Sequence, residues 1–260
     1  MFINNFDPVA FQILSLEIRW YSLAYIVGIL LGWLFCKKKL FKDDIVSNLF
    51  DEYITYVILG MIIGGRLGYI LFYNLNYYLE NLFEVFAIWN GGMSFHGAVI
   101  GIIITSLFFS NKKNINHFIF LDFVSLSAPI GIFFGRIANF INSELYGRPT
   151  EVAWSVKFEV IDNINRHPSQ LYEAFFEGLI LFFILIFFRN KGFMKIPGFI
   201  SGLFLIFYSI FRFLLEFVRV PDEHLGYLLL DLTMGQLISL IFLLIGIYLL
   251  VTKNENKNAS

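Results

Sequence analysis

The chain of 260 residues has a single cysteine and few charged side chains. One cysteine excludes a disulfide within the chain. Cys36 ends a hydrophobic run beside three lysines, where a small apolar helix residue is the simplest interpretation. Only 15% of the residues are Asp, Glu, Lys or Arg, against about 25% in a typical soluble domain. The composition therefore argues against an ordinary soluble domain.

Several common catalytic and cofactor motifs are also missing. The sequence has no HExxH or paired-cysteine pattern for a metal, no GxSxG elbow, no phosphate-binding loop and no dinucleotide fingerprint. We therefore expect no metal and no cofactor. The net charge is −1, and the charges are sorted by loop without forming a basic face, so we expect no nucleic-acid partner.

Hydrophobic residues make up 58% of the chain and concentrate in long runs. A helix that spans a membrane needs about 20 mainly apolar residues. Seven candidate spans cover roughly 20–36, 50–73, 94–110, 118–140, 170–188, 197–218 and 231–252. We expect an all-α polytopic membrane protein with one membrane domain over residues 1–252 and a disordered tail over residues 253–260.

The basic residues of alternate loops predict the orientation. They follow the first, third, fifth and seventh runs, at Lys37, Lys38, Lys39, Lys42, Lys112, Lys113, Arg189, Lys191, Lys195, Lys253 and Lys257. By the positive-inside rule, the N-terminus lies outside and the C-terminus inside. The longest outside loop, about 141–169, would form a small extracytoplasmic head, and its EVAWSVKFEV stretch alternates enough to pair as a strand.

Arginines are distributed differently from lysines. Seven of the eight lie outside the lysine-rich loops: Arg19, Arg66, Arg136, Arg148, Arg166, Arg212 and Arg219. A charge at the bilayer centre costs about 2.5–3.5 kcal/mol on insertion scales, so each needs a partner or a function. Because Tyr208, Arg212 and Glu216 share one helical face, we expect polar side chains of several helices to meet in a cavity open to the outside.

The run GRIANFINSELYGR, from Gly135 to Arg148, is the most polar end of any hydrophobic segment. Arg136 lies one turn before Asn139, and asparagine cannot neutralise arginine. We therefore expect an anion beside Arg136, such as Glu144 or a ligand phosphate. His96 begins the third run among glycines, where a neutral imidazole could accept a proton.

Each of these residues also has a simpler interpretation. Arg212 and Glu216 could form only an intrahelical ion pair, Arg66 could cap a helix or reach the interface, and Glu177 could be structural. Small residues four apart favour close packing of helices. They occur at Gly28/Gly32, Gly60/Gly64/Gly68, Gly97/Gly101 and Gly131/Gly135.

Taken in order, the motifs resemble those of the prolipoprotein diacylglyceryl transferase family. The matching segments are RWYSLAY (19–25), GGRLGYILFYN (64–74), GGMSFHG (91–97), GRIANFINSELYGR (135–148), RHPSQLYE (166–173), FRFLLEFVRVPD (211–222) and MGQ (234–236). Ala138 departs from the glycine that the family often has there. Residues 149–165 match no motif.

The resemblance implies an enzyme that moves the diacylglyceryl group of phosphatidylglycerol onto the lipobox cysteine thiol of a bacterial prolipoprotein. A thioether forms and glycerol phosphate leaves. The resemblance implies Arg136 as a ligand of the headgroup, His96 as the base for the thiol, and Arg212 as the group that stabilises the phosphate. Further implied substrate-binding residues are Tyr21, Arg66, Asn139, Glu144, Gly147, Glu173, Tyr208 and Glu216.

The resemblance also implies partners and a location. The partners are phosphatidylglycerol, the lipobox segment of a prolipoprotein and membrane lipid, and the location is the bacterial inner membrane with the active site facing outward. Two other classes of protein stay open at this point. A transporter or channel with an arginine-lined anion path would also explain the intramembrane arginines. A structural scaffold would leave His96 and Arg136 without a role.

Overall fold

A computed structural model gives the fold of this chain. It describes residues 2–14, 16–39, 44–88, 91–221 and 226–258. Within these ranges only the backbone is described for Leu16, Lys39, residues 44–46, Phe95, His96, Leu229 and residues 253–258.

The described chain is helical in all seven predicted runs. The helices are α1 (Trp20–Lys39), α2 (Asp44–Tyr73), α3 (Leu75–Glu80), α4 (Phe95–Lys113), α5 (His117–Ile141), α6 (Ser169–Glu173), α7 (Leu181–Asn190), α8 (Phe199–Leu215) and α9 (Met234–Asn258). A π-helix, Ala174–Ile180, joins α6 to α7. Five apolar stretches are long enough to cross a membrane: Trp20–Lys38, Ser47–Tyr73, His117–Ile141, Ser169–Asn190 and Met234–Thr252. The prediction of a mostly helical polytopic membrane protein is thereby confirmed.

The structure also contains short strands. The expectation of an all-α fold did not include them. The described residues include β1 (Phe2–Asn4), β2 (Val9–Ile13), β3 (Leu16–Arg19), β4 (Val156–Phe158) and β5 (Asn165–Arg166). Strand β4 pairs in parallel with β1 and antiparallel with β5, and β2 and β3 form a hairpin. The predicted strand in EVAWSVKFEV is confirmed as β4. The sequence does not predict the three N-terminal strands, because each has only three to five residues and is too short to show a clear alternating pattern.

The three-stranded sheet is attached to the end of α5. Phe140, Val156 and Phe158 form a small buried core beneath it. The Asn4 side-chain amide, which is fully buried, donates a hydrogen bond of 2.6 Å to the carbonyl of Phe140. The strands therefore fix the position of the chain immediately after Arg136.

The chain divides into two compact units, Met1–Lys38 with Asp122–Ser260, and Lys39–Leu121. In the smaller unit, α2 and α4 pack backbone to backbone along the predicted glycines. A Cβ atom added to Gly101 would lie 2.0 Å from the carbonyl oxygen of Gly60, and one added to Gly64 would lie 2.4 Å from that of Gly97. Only glycine permits this approach.

The larger unit holds α5 and α8 together through a buried carboxylate. Asp122, near the start of α5, accepts hydrogen bonds from the backbone N–H groups of Gly198 and Ser201, at 2.7 and 2.8 Å. These donors belong to the first turn of α8, whose N–H groups have no partner within the helix. On another face of α5, Gly131 packs against Gly28 of α1. Helix α9 continues to Asn258, into residues 253–260, and the division into a membrane domain and a tail stays a prediction.

We expect Gly101→Ala to destabilise the protein and Gly131→Ala to be tolerated. The first Cβ would collide with the Gly60 carbonyl, whereas nothing lies within 4 Å of the second. Overpacking costs about 1–3 kcal/mol, which lowers the melting temperature by about 5 °C in a chain of this size. Thermal unfolding of the purified variants in detergent measures the difference. Equal melting temperatures for the two variants would contradict the packing described here.

Candidate active site

Three arginines and three glutamates meet in the larger unit. Members of this ion cluster come from α5, α6, the π-helix, α8 and the segment after α8: Arg136, Glu173, Glu177, Arg212, Glu216 and Arg219. Three positive and three negative charges balance formally. An unpaired charge in a low-dielectric environment is strongly unfavourable, so each member stabilises its neighbours.

Glu173 lies at the centre of the ion cluster. Its Oε2 atom is 2.9 Å from Nη1 of Arg136, and its Oε1 atom is 2.6 Å from Nη1 of Arg212 and 3.6 Å from Nη1 of Arg219. One carboxylate therefore contacts all three arginines. Its side chain is fully buried, so water cannot substitute for these contacts.

Arg136 has different anionic partners from those predicted. Nη2 of Arg136 donates to Oε2 of Glu177 at 3.1 Å, in addition to the contact with Glu173. The expected anion beside Arg136 is therefore present, but it is supplied by Glu173 and Glu177 and not by Glu144, and phosphate binding at Arg136 stays a prediction. Glu144 instead accepts a hydrogen bond of 3.1 Å from Asn139, because the chain turns back after α5 through left-handed residues at Ser143 and Leu145.

Arg212 forms the predicted intrahelical ion pair as part of a wider network. Its Nη2 atom is 2.7 Å from Oε2 of Glu216. Oε1 of Glu216 in turn accepts a hydrogen bond of 3.0 Å from the Thr233 hydroxyl. A Cβ atom added to Gly235 would lie 3.0 Å from the Glu216 carboxyl, which explains the glycine of the MGQ segment. The start of α9 thus completes one side of the ion cluster.

The arginines are more accessible than the carboxylates. The side chains of Glu173 and Glu177 are 0% exposed, whereas Arg136 is 16% and Arg212 is 11% exposed. Glu173 and Glu177 are therefore closed to solvent while Arg136 and Arg212 keep some exposed surface, and Arg219 and Glu216 are nearly buried, at 6% and 5% exposed. This arrangement can present guanidinium N–H groups to an incoming anion while the carboxylates fix their geometry.

The π-helix brings Glu177 to Arg136. A π-helix has a wider turn than an α-helix and often occurs at functional sites. Gly178 packs directly on α5, since a Cβ atom there would lie 2.7 Å from the Cβ of Phe133. The backbone after Glu177 can approach α5 this closely only because residue 178 has no side chain.

Two tyrosines interact with Arg136, and a third contacts one of them. Tyr208 of α8 interacts electrostatically with Arg136 and Glu177. Tyr25 of α1 also interacts with Arg136, and its hydroxyl lies 3.2 Å from that of Tyr21. The predicted residue Tyr21 is therefore connected to Arg136 through Tyr25, which sequence reasoning had not selected.

The head loop approaches the ion cluster through backbone contacts. The N–H of Gly147 donates to the carbonyl of His167 at 3.0 Å, and a Cβ atom at Gly147 would lie 2.3 Å from that oxygen. Nε of Arg148 donates to the carbonyl of Arg219 at 2.9 Å. Arg148 thus holds the segment that contains Arg219.

The histidine of the head loop is neutral near pH 7. Burial lowers the pKa of the His167 imidazole, and its Nδ1 atom lies 3.2 Å from the Tyr172 hydroxyl.

Two predicted site residues belong to the smaller unit. The buried guanidinium of Arg66 donates to five backbone carbonyls, those of Glu84, Val85, Ala87, Gly91 and Gly92. These contacts hold the loop before α4, and substrate binding by Arg66 stays a prediction. His96 is the second residue of α4, and its side chain lies outside the described residues.

The sequence matches known proteins over nearly its whole length. The family model for prolipoprotein diacylglyceryl transferase matches residues 8–252. The chain belongs to this family. A phosphatidylglycerol–prolipoprotein diacylglyceryl transferase of Rickettsia typhi is 50% identical over 98% of this chain and 100% of its own length. Transferases of the same name from Rickettsia bellii and Rickettsia felis are 48% and 47% identical, over 96% and 98% of this chain and 97% and 99% of their own lengths.

The family prediction is therefore confirmed. The structure shows that residues from separate family motifs lie next to one another. The motifs that contain Arg136, Glu173, Arg212 and Glu216 meet at the ion cluster, and Tyr208, three residues before the segment 211–222, interacts with it. The sequence alone leaves Glu177 open as a structural residue and gives Arg219 no specific partner. The available signal for Glu177 was its position four residues after Glu173, and that for Arg219 was its position three residues after Glu216.

We expect Glu173→Gln to destabilise the protein far more than Glu52→Gln. Neutralising Glu173 leaves three buried arginines with two glutamates, which costs about 3–5 kcal/mol. Glu52 makes a half-exposed ion pair of 2.6 Å with Lys113, and such pairs contribute about 0–1 kcal/mol. Unfolding by sodium dodecyl sulfate in mixed micelles measures both free energies. Similar losses in the two variants would show that the ion cluster does not stabilise the fold.

Proposed function

We propose that this protein transfers the diacylglyceryl group of phosphatidylglycerol to the lipobox cysteine of bacterial prolipoproteins. Relatives that are 46–50% identical over nearly the full chain carry this activity in their names, in agreement with the function predicted from the sequence. The mechanism rests on one observation. Arg136 and Arg212 are partly accessible, and both form ion pairs with the fully buried carboxylate of Glu173.

The reaction exchanges a C–O bond for a C–S bond. The sulfur of the lipobox cysteine attacks the carbon of the diacylglyceryl group that is bonded to the phosphate oxygen. The bond from this carbon to the phosphate oxygen breaks, and glycerol phosphate leaves with the electron pair. The thiol proton passes to a base. The substrate supplies the nucleophilic sulfur, so the buried Cys36 needs no role in the reaction.

The arginines suit the charge that develops on the leaving group. The phosphodiester carries one negative charge, and its charge increases as the C–O bond breaks. Arg136 binds the headgroup phosphate in this proposal, and Arg212 stabilises the additional charge. The shared carboxylate of Glu173 keeps the two guanidinium groups in fixed positions before the lipid arrives. Preorganised charges of this kind contribute most to such catalysis.

Other residues of the larger unit support these two arginines. Glu216 and Tyr208 belong to or contact the ion cluster, and Asn139 and Glu144 hold the turn after α5. Tyr21 and Gly147 are further candidates, and Arg66, of the smaller unit, is proposed for substrate binding from the family resemblance alone. His96 is proposed as the base for the thiol because it occupies the histidine of the family segment GGMSFHG. Neutral imidazole has a pKa suited to this step near neutral pH.

The proposed topology places this chemistry at the outer face of the bacterial inner membrane. The seven helical stretches cross the membrane with the N-terminus outside, the C-terminus inside and the active site facing outward. Support comes from the lysines near the C-terminal ends of α1, α4 and α9 and just after α7, at alternate ends of the helical stretches. In this orientation Arg136, near the end of α5, lies at the level of an outer-leaflet headgroup. The domain proposal is one membrane domain over residues 1–252.

We expect the purified wild-type protein to form a thioether on a lipobox peptide and release glycerol phosphate from phosphatidylglycerol vesicles. His96→Gln should lower the rate by about 100-fold or more, in the range contributed by general acid–base catalysis. Mass spectrometry of the peptide and an assay of glycerol phosphate measure both products. Near-normal thioether formation by His96→Gln would exclude this base. Failure of the wild-type protein to form thioether would contradict the function itself.

We expect Arg136→Ala to weaken the binding of phosphatidylglycerol by about 10- to 100-fold, because the variant loses a charge-assisted hydrogen bond to the phosphate. Arg189→Ala is the control, because Arg189 lies at the end of α7 and outside the ion cluster. Binding of the lipid to the purified protein in detergent is measured directly, alongside the melting temperature. Unchanged affinity in a folded Arg136→Ala variant would exclude the headgroup role.

A further inference from the structure

Glu177 gives Arg136 a second carboxylate partner. Oε2 of Glu173 is 2.9 Å from Nη1 of Arg136, and Oε2 of Glu177 is 3.1 Å from Nη2. One carboxylate would already neutralise this guanidinium group. Both glutamate side chains are fully buried, whereas 16% of the Arg136 side chain is exposed. Arg136 therefore has two buried anionic partners while part of its own surface stays open to a ligand.

The two glutamates are not equally well neutralised. Each carboxylate oxygen of Glu173 lies within 3 Å of an arginine nitrogen, at 2.9 Å from Arg136 and 2.6 Å from Arg212. Oε1 of Glu177, by contrast, is 4.0 Å from Nη1 of Arg212. This oxygen is buried and accepts no hydrogen bond from the described part of the chain. Part of the negative charge of Glu177 is therefore left to act on whatever binds at Arg136.

The backbone places this carboxylate against α5 by a specific irregularity. Glu177 lies in the π-helix Ala174–Ile180, and Gly178 packs so closely on α5 that a Cβ atom would lie 2.7 Å from the Cβ of Phe133. Such π-helical turns frequently occur at functional sites. The other titratable groups that interact with Glu177 are Glu173 and Arg212, together with Tyr208 of α8. A side chain that only filled this space would not need a charge, so the charge of Glu177 calls for a functional explanation.

The charge of the phosphate changes during the proposed reaction. Phosphatidylglycerol is a phosphodiester with one negative charge. Glycerol phosphate is a monoester, whose second pKa is about 6, so it carries nearly two negative charges above neutral pH. Arginines that stabilise the leaving group would therefore bind the product more tightly than the substrate. Slow release of a product limits turnover in many enzymes, so this reaction requires a group that weakens the binding of glycerol phosphate.

We propose that Glu177 is a positioning residue that acts through Arg136, and that its negative charge weakens the binding of glycerol phosphate and so promotes its release. The inference rests on the proposed function. A phosphate held by the accessible part of Arg136 lies across the guanidinium group from Glu177. Because Glu177 is buried, salt screens the repulsion only weakly. Coulomb repulsion is proportional to each charge, so it weakens binding of the dianionic product about twice as much, in free energy, as binding of the monoanionic substrate.

The test compares product and substrate binding in Glu177→Gln at about pH 8, where glycerol phosphate is a dianion. The amide oxygen can still accept a hydrogen bond from Arg136, but the charge is lost. The Ki of glycerol phosphate in the thioether assay should fall about 10-fold, whereas the Kd of phosphatidylglycerol should fall only about 3-fold. Rapid-quench kinetics should show a burst of about one thioether per enzyme molecule followed by slower turnover, because release has become limiting.

Two further variants serve as controls. Glu151→Gln removes one negative charge from an exposed position in the head loop of the same unit and should leave both constants unchanged. Glu177→Asp keeps the charge and should retain a Ki for glycerol phosphate within about two-fold of the wild-type value. A merely structural role of Glu177 would lower the melting temperature or weaken the binding of both ligands, but it would not tighten the binding of the product.

The outcomes separate this proposal from the proposed function. Wild-type protein that forms no thioether would contradict the function, whatever the variants do. If the wild-type protein is active, an unchanged or higher ratio of the product Ki to the substrate Kd in folded Glu177→Gln would overturn the role of Glu177. An equal fall of this ratio in Glu151→Gln would also overturn it.

A measurement on the wild-type protein covers the case in which Glu177→Gln does not fold. Glycerophosphoglycerol, the deacylated headgroup of the substrate, carries a single negative charge. With Glu177 in place it should inhibit at least as strongly as glycerol phosphate, because the dianion is repelled more. Inhibition by glycerol phosphate that is about 10-fold stronger than inhibition by glycerophosphoglycerol would overturn the proposal.

Discussion

A single buried carboxylate, that of Glu173, holds the candidate site together. It contacts Arg136, Arg212 and Arg219, which come from three different segments of the chain. In a low-dielectric environment each of these arginines requires an anionic partner, and Glu173 has no access to water that could replace them. The same interaction therefore stabilises the contact between helices and orients the guanidinium groups that the proposed chemistry uses. Stability and catalysis depend here on one set of atoms.

The structural irregularities of the larger unit surround this interaction. The π-helix, the proline of α5 and the contact at Gly178 all lie within about two turns of Arg136 or Glu177. Regular helices would pack evenly along their length. Here the departures from regularity place two glutamates beside one arginine. At the other end of α5, Asp122 fixes α8 through its first turn, so α5 and α8 are held together at both ends.

Much of the site was predictable from the sequence, and the reasons for the errors are specific. Arg136, Arg212 and Glu216 were selected because a charge in a hydrophobic run needs a partner. The sequence indicates an anion beside Arg136 but does not identify it: Glu144 is close in sequence, whereas Glu173 and Glu177 approach only through the packing of another helix. Tyr25 was missed because its relation to Arg136 crosses from α1 to α5. Among its described hydrogen bonds, Arg66 donates to five backbone carbonyls and to no carboxylate. These contacts agree with the simpler interpretation of Arg66 as a structural residue.

The sequence by itself determined the class of protein, the positions of the helices, the strand in the head loop and the family, because these depend on local composition, periodicity and ordered motifs. The tertiary structure alone decided which glutamate neutralises which arginine and at which glycines two backbones come into contact. Those features depend on distances between segments that are far apart in the chain. Ion pairing in a low dielectric requires contact within about 4 Å, and no pattern within one helix specifies that distance to another.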